Sequence, residues 1–470
     1  MNTKKGGIEM KVMKFGGGCL RDAASVSRVV DIILSQTTKP VVVVSALYGI
    51  TDMLEEGLLS SLKSEKKVSP TIHSIRDRHQ TLVEEVIADS KIRHETTTAI
   101  EDRIKKLEQL LYGASYTGEI TKSVQALILS FGERLAAVAL AGALLSLDQK
   151  SVALESEEAG IITDECFENA TAILPLVKKN LRSRVLPYLR KGFVPVLTGY
   201  FGCTPEKKIT TFGRNGSDYS SAVIAFGTEA TQLEIWKDVD GFMSADPKIV
   251  KKPHRILRLS YYEAAELSYF GAKILHPRTV EPLVKKPIPI FIRNVSGGER
   301  ESTVIMPSGY ESQDVIKGVT CNKNISILRI HGPGVGYKPG VIAEIAGILF
   351  EKGINIYSVL TAQTCINLLV DKSHSQKSIE ALNSLAGGVI ERIDLESQKA
   401  LIAVVGEGLL KRKGVAARIF SRVAEENINI EMISCGASEV AYYFIVEAQD
   451  AEKAVNAIHR EFFERRENVF

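Results

Sequence analysis

The chain lacks a long uninterrupted apolar run. Its longest, Leu135 to Leu147, falls short of the roughly 20 residues a bilayer requires, so it is expected to be a buried helix. The start, Met1 to Met10, has lysines but no apolar stretch behind them and does not look like a secretion signal. Net charge is nearly absent as well: 59 basic and 56 acidic residues leave +3, which argues against nucleic acid or an anionic membrane as partner. The one basic run, Lys251-Lys252-Pro253-His254-Arg255, reads as a solvated loop. Cysteine is scarce. Cys19, Cys166, Cys203, Cys321, Cys365 and Cys435 lack the paired spacing of zinc sites or disulfide frameworks, which fits a reducing, cytoplasmic setting with no protein-held metal. Two common phosphate motifs are missing: there is no G-x-x-x-x-G-K-[ST], and no G-x-G-x-x-G at the first strand.

What is present is ample material for burial: 45% of the residues are apolar and 24% charged, near the globular average, so wholesale disorder is excluded. A length of 470 residues suggests two to four domains. Through residue 300, short Val/Ile-rich runs alternate with helical stretches, the pattern of an α/β domain with a mainly parallel sheet covered on both faces. Its best strands are Lys11 to Phe15, Pro40 to Ser45, Ser151 to Leu154, Phe193 to Leu197 and Gln232 to Trp236, with a helix from Ala23 to Leu34. Residues 60–125 are polar with helical apolar spacing, either a mobile wall over a site or a solvated helical hairpin. Pro307-Ser308-Gly309 marks a boundary. Beyond it, Gly340-Val341-Ile342-Ala343 leading to Gly353-Ile354-Asn355-Ile356 is echoed by Gly414-Val415-Ala416-Ala417 leading to Asn427-Ile428-Asn429-Ile430, an interval of about 74 residues and hence two copies of a small module.

Three clusters carry chemistry. Lys14-Phe15-Gly16-Gly17-Gly18 closes the first strand, where glycine N–H groups, a helix N-terminus and an ammonium suit phosphate. Taken alone it could be a structural turn. In Gly213-Arg214-Asn215-Gly216-Ser217-Asp218, Ser217 suits an N-cap and Asp218 a first-turn acid, but capping does not account for Arg214 between two glycine-bearing positions. Lys237-Asp238-Val239-Asp240-Gly241 follows a strand end, where α/β proteins bind ligands.

Together with Ser45 to Thr51, Ser130 to Glu133, Asp238 to Lys248 and Gly271 to Pro277, these clusters resemble, in order and distance, the aspartate kinases of the amino acid kinase superfamily. The resemblance implies transfer of the γ-phosphoryl of ATP to the β-carboxylate of L-aspartate, with Mg²⁺ carried by the nucleotide, opening the route to lysine, threonine and methionine. It further implies catalytic Lys14 and Asp218, and an aspartate pocket of Thr51, Glu133, Phe201, Arg214 and Ser217. Around the nucleotide it implies Lys14, Phe15, Gly16, Gly17, Ser45, Lys237, Asp238, Met243, Lys248, Lys273 and Ile274. Read without the resemblance, Glu133 could be a helix-surface acid and Met243 core filler. Where the family continues KFGG with Thr-Ser, this chain has Gly18 and Cys19, losing a hydroxyl and gaining a thiol.

The residue types suit the reaction. An aspartate side chain is ionised at neutral pH and needs no general base. The obstacle is an anion approaching a polyanion, which cations and N–H donors offset. A guanidinium matches the α-carboxylate of a free amino acid and a carboxylate its ammonium.

The two repeats resemble ACT domains, implying ferredoxin-like α+β modules, one inserted in the other: 1–300 catalytic, 324–397 the first ACT domain, 312–323 plus 398–470 the second. Gly340, Asn355, Ile356 and Gln363 are the effector candidates, with lysine, threonine or no effector open. Shared sheets imply a homodimer or dimer of dimers. Other readings are a kinase for a different amino acid, and a non-catalytic amino-acid sensor.

Overall fold

The structure, a computed structural model, describes residues 10–272, 274–297, 302–312, 315–385 and 387–464. Chain contacts divide it into two compact units. One comprises Met1–Phe242, Arg255–Ser268 and Lys273–Gly309; the other comprises Met243–His254, Tyr269–Ala272 and Tyr310–Phe470.

The first unit is built on an eight-stranded sheet of β1 (Lys11–Phe15), β2 (Val41–Val44), β3 (Ser151–Leu154), β4 (Val194–Thr198), β7 (Gln232–Lys237), β8 (Arg258–Ser260), β9 (Ile290–Asn294) and β10 (Ser302–Met306). A separate hairpin pairs β5 (Phe201–Cys203) with β6 (Ile209–Thr211). The sheet order is β3-β4-β2-β1-β7-β9-β10-β8, parallel except where β9 meets β10. Because β1, β2, β4 and β7 run parallel side by side, the residues that follow each of them emerge at one edge. All four residues of β2 are buried, as continuous valine requires in a sheet covered on both faces.

The helix Ala23–Leu34 starts on Asp22, whose side chain accepts from the Ser25 N–H. Helix Phe131–Leu145 is buried from its first residue through Leu144. The stretch Lys122–Leu145 would pass for a membrane span by length and hydropathy, yet 94% of its most apolar 18-residue window is buried inside protein. Helices Val68–Val86 and Ser90–Thr117 form the expected excursion, and their inner faces (Ile72, Ile75, Ile100, Ile104, Leu107) belong to the same core as Leu135 and Leu140. The excursion is thus a packed hairpin with a solvated outer face.

The second unit holds a six-stranded antiparallel sheet of β11 (Gly318–His331), β12 (Ile356–Ala362), β13 (Cys365–Asp371), β14 (Arg392–Val405), β15 (Met432–Cys435) and β16 (Ala441–Glu447), in the order β12-β13-β11-β14-β16-β15. The opening of β11 pairs only with β14, Gly318 opposite Val405, while Ile325 to His331 also pair with β13. The register shifts near Asn322 and Ile325 separate these two halves. One core lies under helix Val341–Glu351 and a second under helices Val415–Glu425 and Ala451–His459, while a further buried cluster (Ile325, Ile327, Leu369, Leu401, Tyr443) is built from the strands themselves. Met243–His254, expected in the catalytic segment 1–300, belongs instead to this unit. Ala245 and Val250 are buried in the second of these cores, and Ser244 Oγ lies 2.9 Å from His459 Nε2.

Candidate active site

At the strand edge of the first unit lies a cavity of about 450 Å³, within the usual range for small-molecule sites. Its walls come from the ends of four strands: Lys14 with Gly16, Gly17 and Gly18 after β1, Ser45 after β2, Tyr200 after β4, and Lys237 with Asp238 after β7. Thr51, from helix Ile50–Ser61, Glu133, from the first turn of Phe131–Leu145, and Arg214, Ser217 and Asp218 complete it.

One end is strongly polarised. Lys14 Nζ lies 2.6 Å from Asp218 Oδ1, and Lys237 Nζ lies 3.0 Å from Oδ2, both pairs nearly buried. The His276 N–H also donates to Oδ2, at 3.3 Å. Burial pushes the Asp218 carboxyl up, but the ammonium groups of Lys14 and Lys237 outweigh it and hold the carboxyl below the usual range. One carboxylate thus holds two cations at the cavity wall. Close backbone approach is built in around them: a Cβ on Gly17 would lie 3.2 Å from the Ala46 carbonyl, and one on Gly199 would lie 2.9 Å from Ser217 Cβ.

The other end holds Glu133 and Arg214. Glu133 Oε1 accepts from the Ala46 N–H at 3.0 Å, while Oε2, also buried, has no hydrogen-bond partner among the described residues. Burial raises this carboxyl to about 8. Arg214 is exposed and lies between Gly213 and Asn215, whose φ values are 79° and 58°, in the short link from β6 to helix Gly216–Thr228. The cap of helix Gly216–Thr228 is Asn215 rather than Ser217, which leaves the Ser217 side chain at the cavity. An orphaned acid and an open guanidinium, set beyond a phosphate-friendly glycine turn, suit the ammonium and carboxylate of one amino acid.

Residues 9–294 match the amino acid kinase family, and residues 320–384 and 402–462 each match an ACT domain. The chain is 30% identical over 469 residues to aspartokinase 2, chloroplastic, of Arabidopsis thaliana, covering 96% of this chain and 84% of that protein. The chain belongs to the aspartokinases. The lysine-sensitive aspartokinase 3 of Escherichia coli is 29% identical, with 97% of this chain and 100% of that one covered. The crystal structure of E. coli aspartokinase III with aspartate and ADP superposes with a TM-score of 0.84 at 27% identity, covering 97% of this chain and all of that one. Its complex with lysine and aspartate gives 0.78 over the same shares. The chain spans about half the length of bifunctional aspartokinase/homoserine dehydrogenases that it also matches, 57% and 51% of two of them.

Several residues expected at the site of this aspartokinase stand elsewhere. Phe201 is fully buried in a small core with Ala126 and Ile209, and the guanidinium of Arg134 lies 4.7 Å from its ring centre. Its neighbour Tyr200, which the sequence reading missed, lines the cavity with a φ of 71°. Phe15 is equally buried, stacked on Trp236 at 6.0 Å, so only the backbone of its loop faces the site. Met243 and Lys248 lie in the second unit, and neither they nor Ile274 line the cavity. Lys273 lies outside the described residues. Cys19 turns inward, its thiol donating to the Trp236 carbonyl at 3.3 Å and pushed up by burial to about 11. Gly18 leaves its space to Asp238, whose carboxylate lies 2.8 Å from where a Cβ would be. Among the described residues no cluster of three or more His, Cys, Asp or Glu could hold a metal by itself.

Proposed function

We propose that the protein phosphorylates L-aspartate, transferring the γ-phosphoryl group of ATP to the β-carboxylate to give 4-phospho-L-aspartate and ADP. The observation that carries this reading is the placing of Lys14, Glu133 and Arg214 on the walls of one cavity. A β-carboxylate oxygen forms the new bond to phosphorus, and the bond from phosphorus to the ADP oxygen breaks. No proton moves, because the acceptor is already ionised.

In this reading Glu133 receives the ammonium on its unpartnered Oε2 and Arg214 grips the α-carboxylate. Thr51, Ser217 and Tyr200 close the pocket, and fixing both ends aims the side-chain carboxylate. Lys14, held by Asp218, meets charge developing on the transferred group, and Lys237 neutralises the departing phosphate beside it. Mg²⁺ borne on the nucleotide would supply further neutralisation, with the half-exposed Asp238, 3.5 Å from the guanidinium of Arg21, as a carboxylate on that wall.

Trapping the acyl phosphate as a hydroxamate tests this directly. Aspartate gives product and glutamate does not; absence of product from aspartate under every condition would leave a sensor. Lys14→Ala is expected to lose about 100-fold or more in kcat, and Arg214→Ala to raise KM for aspartate by about 100-fold with a smaller change in kcat. Equal losses in both parameters for both variants would reject the assigned roles.

The second unit is read as the regulatory half, with lysine as effector and a homodimer formed through its sheets. Support comes from Gly340, the left-handed cap of helix Val341–Glu351, and from exposed Asn355 and Gln363 at the two ends of β12, with half-buried Ile356 opening that strand.

A further inference from the structure

We propose that Arg278 is a positioning residue for aspartate: it touches no substrate, but fixes the loop against which Arg214 is set. This rests on the reading of Arg214 given above. Arg278 is the residue after Pro277, in the short turn Pro277–Val280, and only 20% of its side chain is exposed. One terminal nitrogen donates to Asn169 Oδ1 at 2.7 Å and to the Ala170 carbonyl at 3.1 Å; the other donates to Thr171 Oγ1 at 3.0 Å. Three acceptors on three consecutive residues take a planar guanidinium fork, which a lysine could not reproduce. The guanidinium also lies 4.6 Å from the ring centre of Tyr219, the residue after Asp218.

The gripped loop is the support of the Arg214 segment. The Thr211 N–H donates to the Phe167 carbonyl at 2.8 Å, and the Ala170 N–H donates back to the Thr211 carbonyl at 2.9 Å. Thr211 Oγ1 donates a second bond to the Phe167 carbonyl, at 3.1 Å. At Gly213 a Cβ would stand 3.4 Å from the Glu168 carbonyl, so the loop lies against the backbone just before Arg214. Among the described residues none holds the Arg214 side chain by a hydrogen bond or ion pair, and Arg214 sits between two left-handed residues. Its aim therefore depends on the strand and loop behind it. The same turn reaches Asp218 through the His276 N–H, but that is a backbone bond and survives a change of the Arg278 side chain.

The test is steady-state kinetics of full-length variants. Arg278→Gln is expected to raise KM for aspartate about 10-fold, leaving kcat and KM for ATP within about twofold. Arg278→Lys recovers only part of the loss. In an Arg214→Ala background Arg278→Gln adds nothing, because the group it positions is gone. Should Arg278→Gln fail to fold, the exposed pair Asn169→Ala with Thr171→Ala removes two of the acceptors and is expected to give the same rise in KM. An unchanged KM in the folded variants, a loss confined to kcat, or a full 10-fold effect persisting without Arg214 would overturn the proposal. If Arg214→Ala itself leaves KM for aspartate unchanged, the reading of Arg214 fails instead, so the two failures are distinct.

Discussion

Glu133 is buried with one oxygen unpaired, and its carboxyl is lifted by burial to about 8 from an ordinary value near 4.5. Between those values the folded protein holds a proton that the unfolded chain has released. The contribution of Glu133 to stability is thus full below pH 4.5 and is lost as pH rises through about 8. Glu133→Gln, which keeps an acceptor for the Ala46 N–H, is expected to gain in Tm over the parent as the buffer moves from pH 5 to pH 8; a constant difference would show an ionised carboxylate throughout. An ammonium needs the charged form, so the parent's KM for aspartate is expected to fall over the same range, a trend Glu133→Gln loses. The sequence marked this acid only through family resemblance, since a helical glutamate reads as a surface residue until its burial is known. Cys19 shows the converse. By its place in the glycine turn it seemed to bring a thiol to the phosphates, but the 3-10 turn Gly17–Cys19 carries it inward.

The elements of the first unit were legible because their signals are local. Lys11–Phe15, Ser151–Leu154 and Ala23–Leu34 fall where the valine runs and helical spacing put them. Phe201 and Tyr200 were not, because adjacent residues at a strand end face opposite ways and a one-residue error exchanges core for cavity. Phe201→Leu is expected to cost about 1–2 kcal/mol of stability and to leave KM for aspartate within about twofold, measured by denaturant unfolding and by assay. Tyr200→Ala should do the reverse, raising KM. A rise in KM for Phe201→Leu equal to that of Tyr200→Ala would restore the original assignment. Met243 and Lys248 were misplaced for a related reason: they follow the Lys237-Asp238 cluster in sequence, but Ala245 and Val250 take that segment into another core.

At the scale of the whole chain, the internal repeat revealed two modules, and the structure shows how they share one sheet, with β11 and β14 each running through both halves. Asn355→Ala is expected to abolish inhibition by lysine while leaving the activity measured without lysine unchanged; inhibition persisting at the same concentration would move the effector away from this module. The shared strand also orders the birth of the protein. Gly318 leaves the ribosome long before its partner Val405 exists, and in between the chain completes β12 and β13 against the later part of β11. The inner module can close on itself during synthesis, whereas the outer one must wait for its last strands, so a chain stalled before residue 400 would present an unpaired strand end to its neighbours.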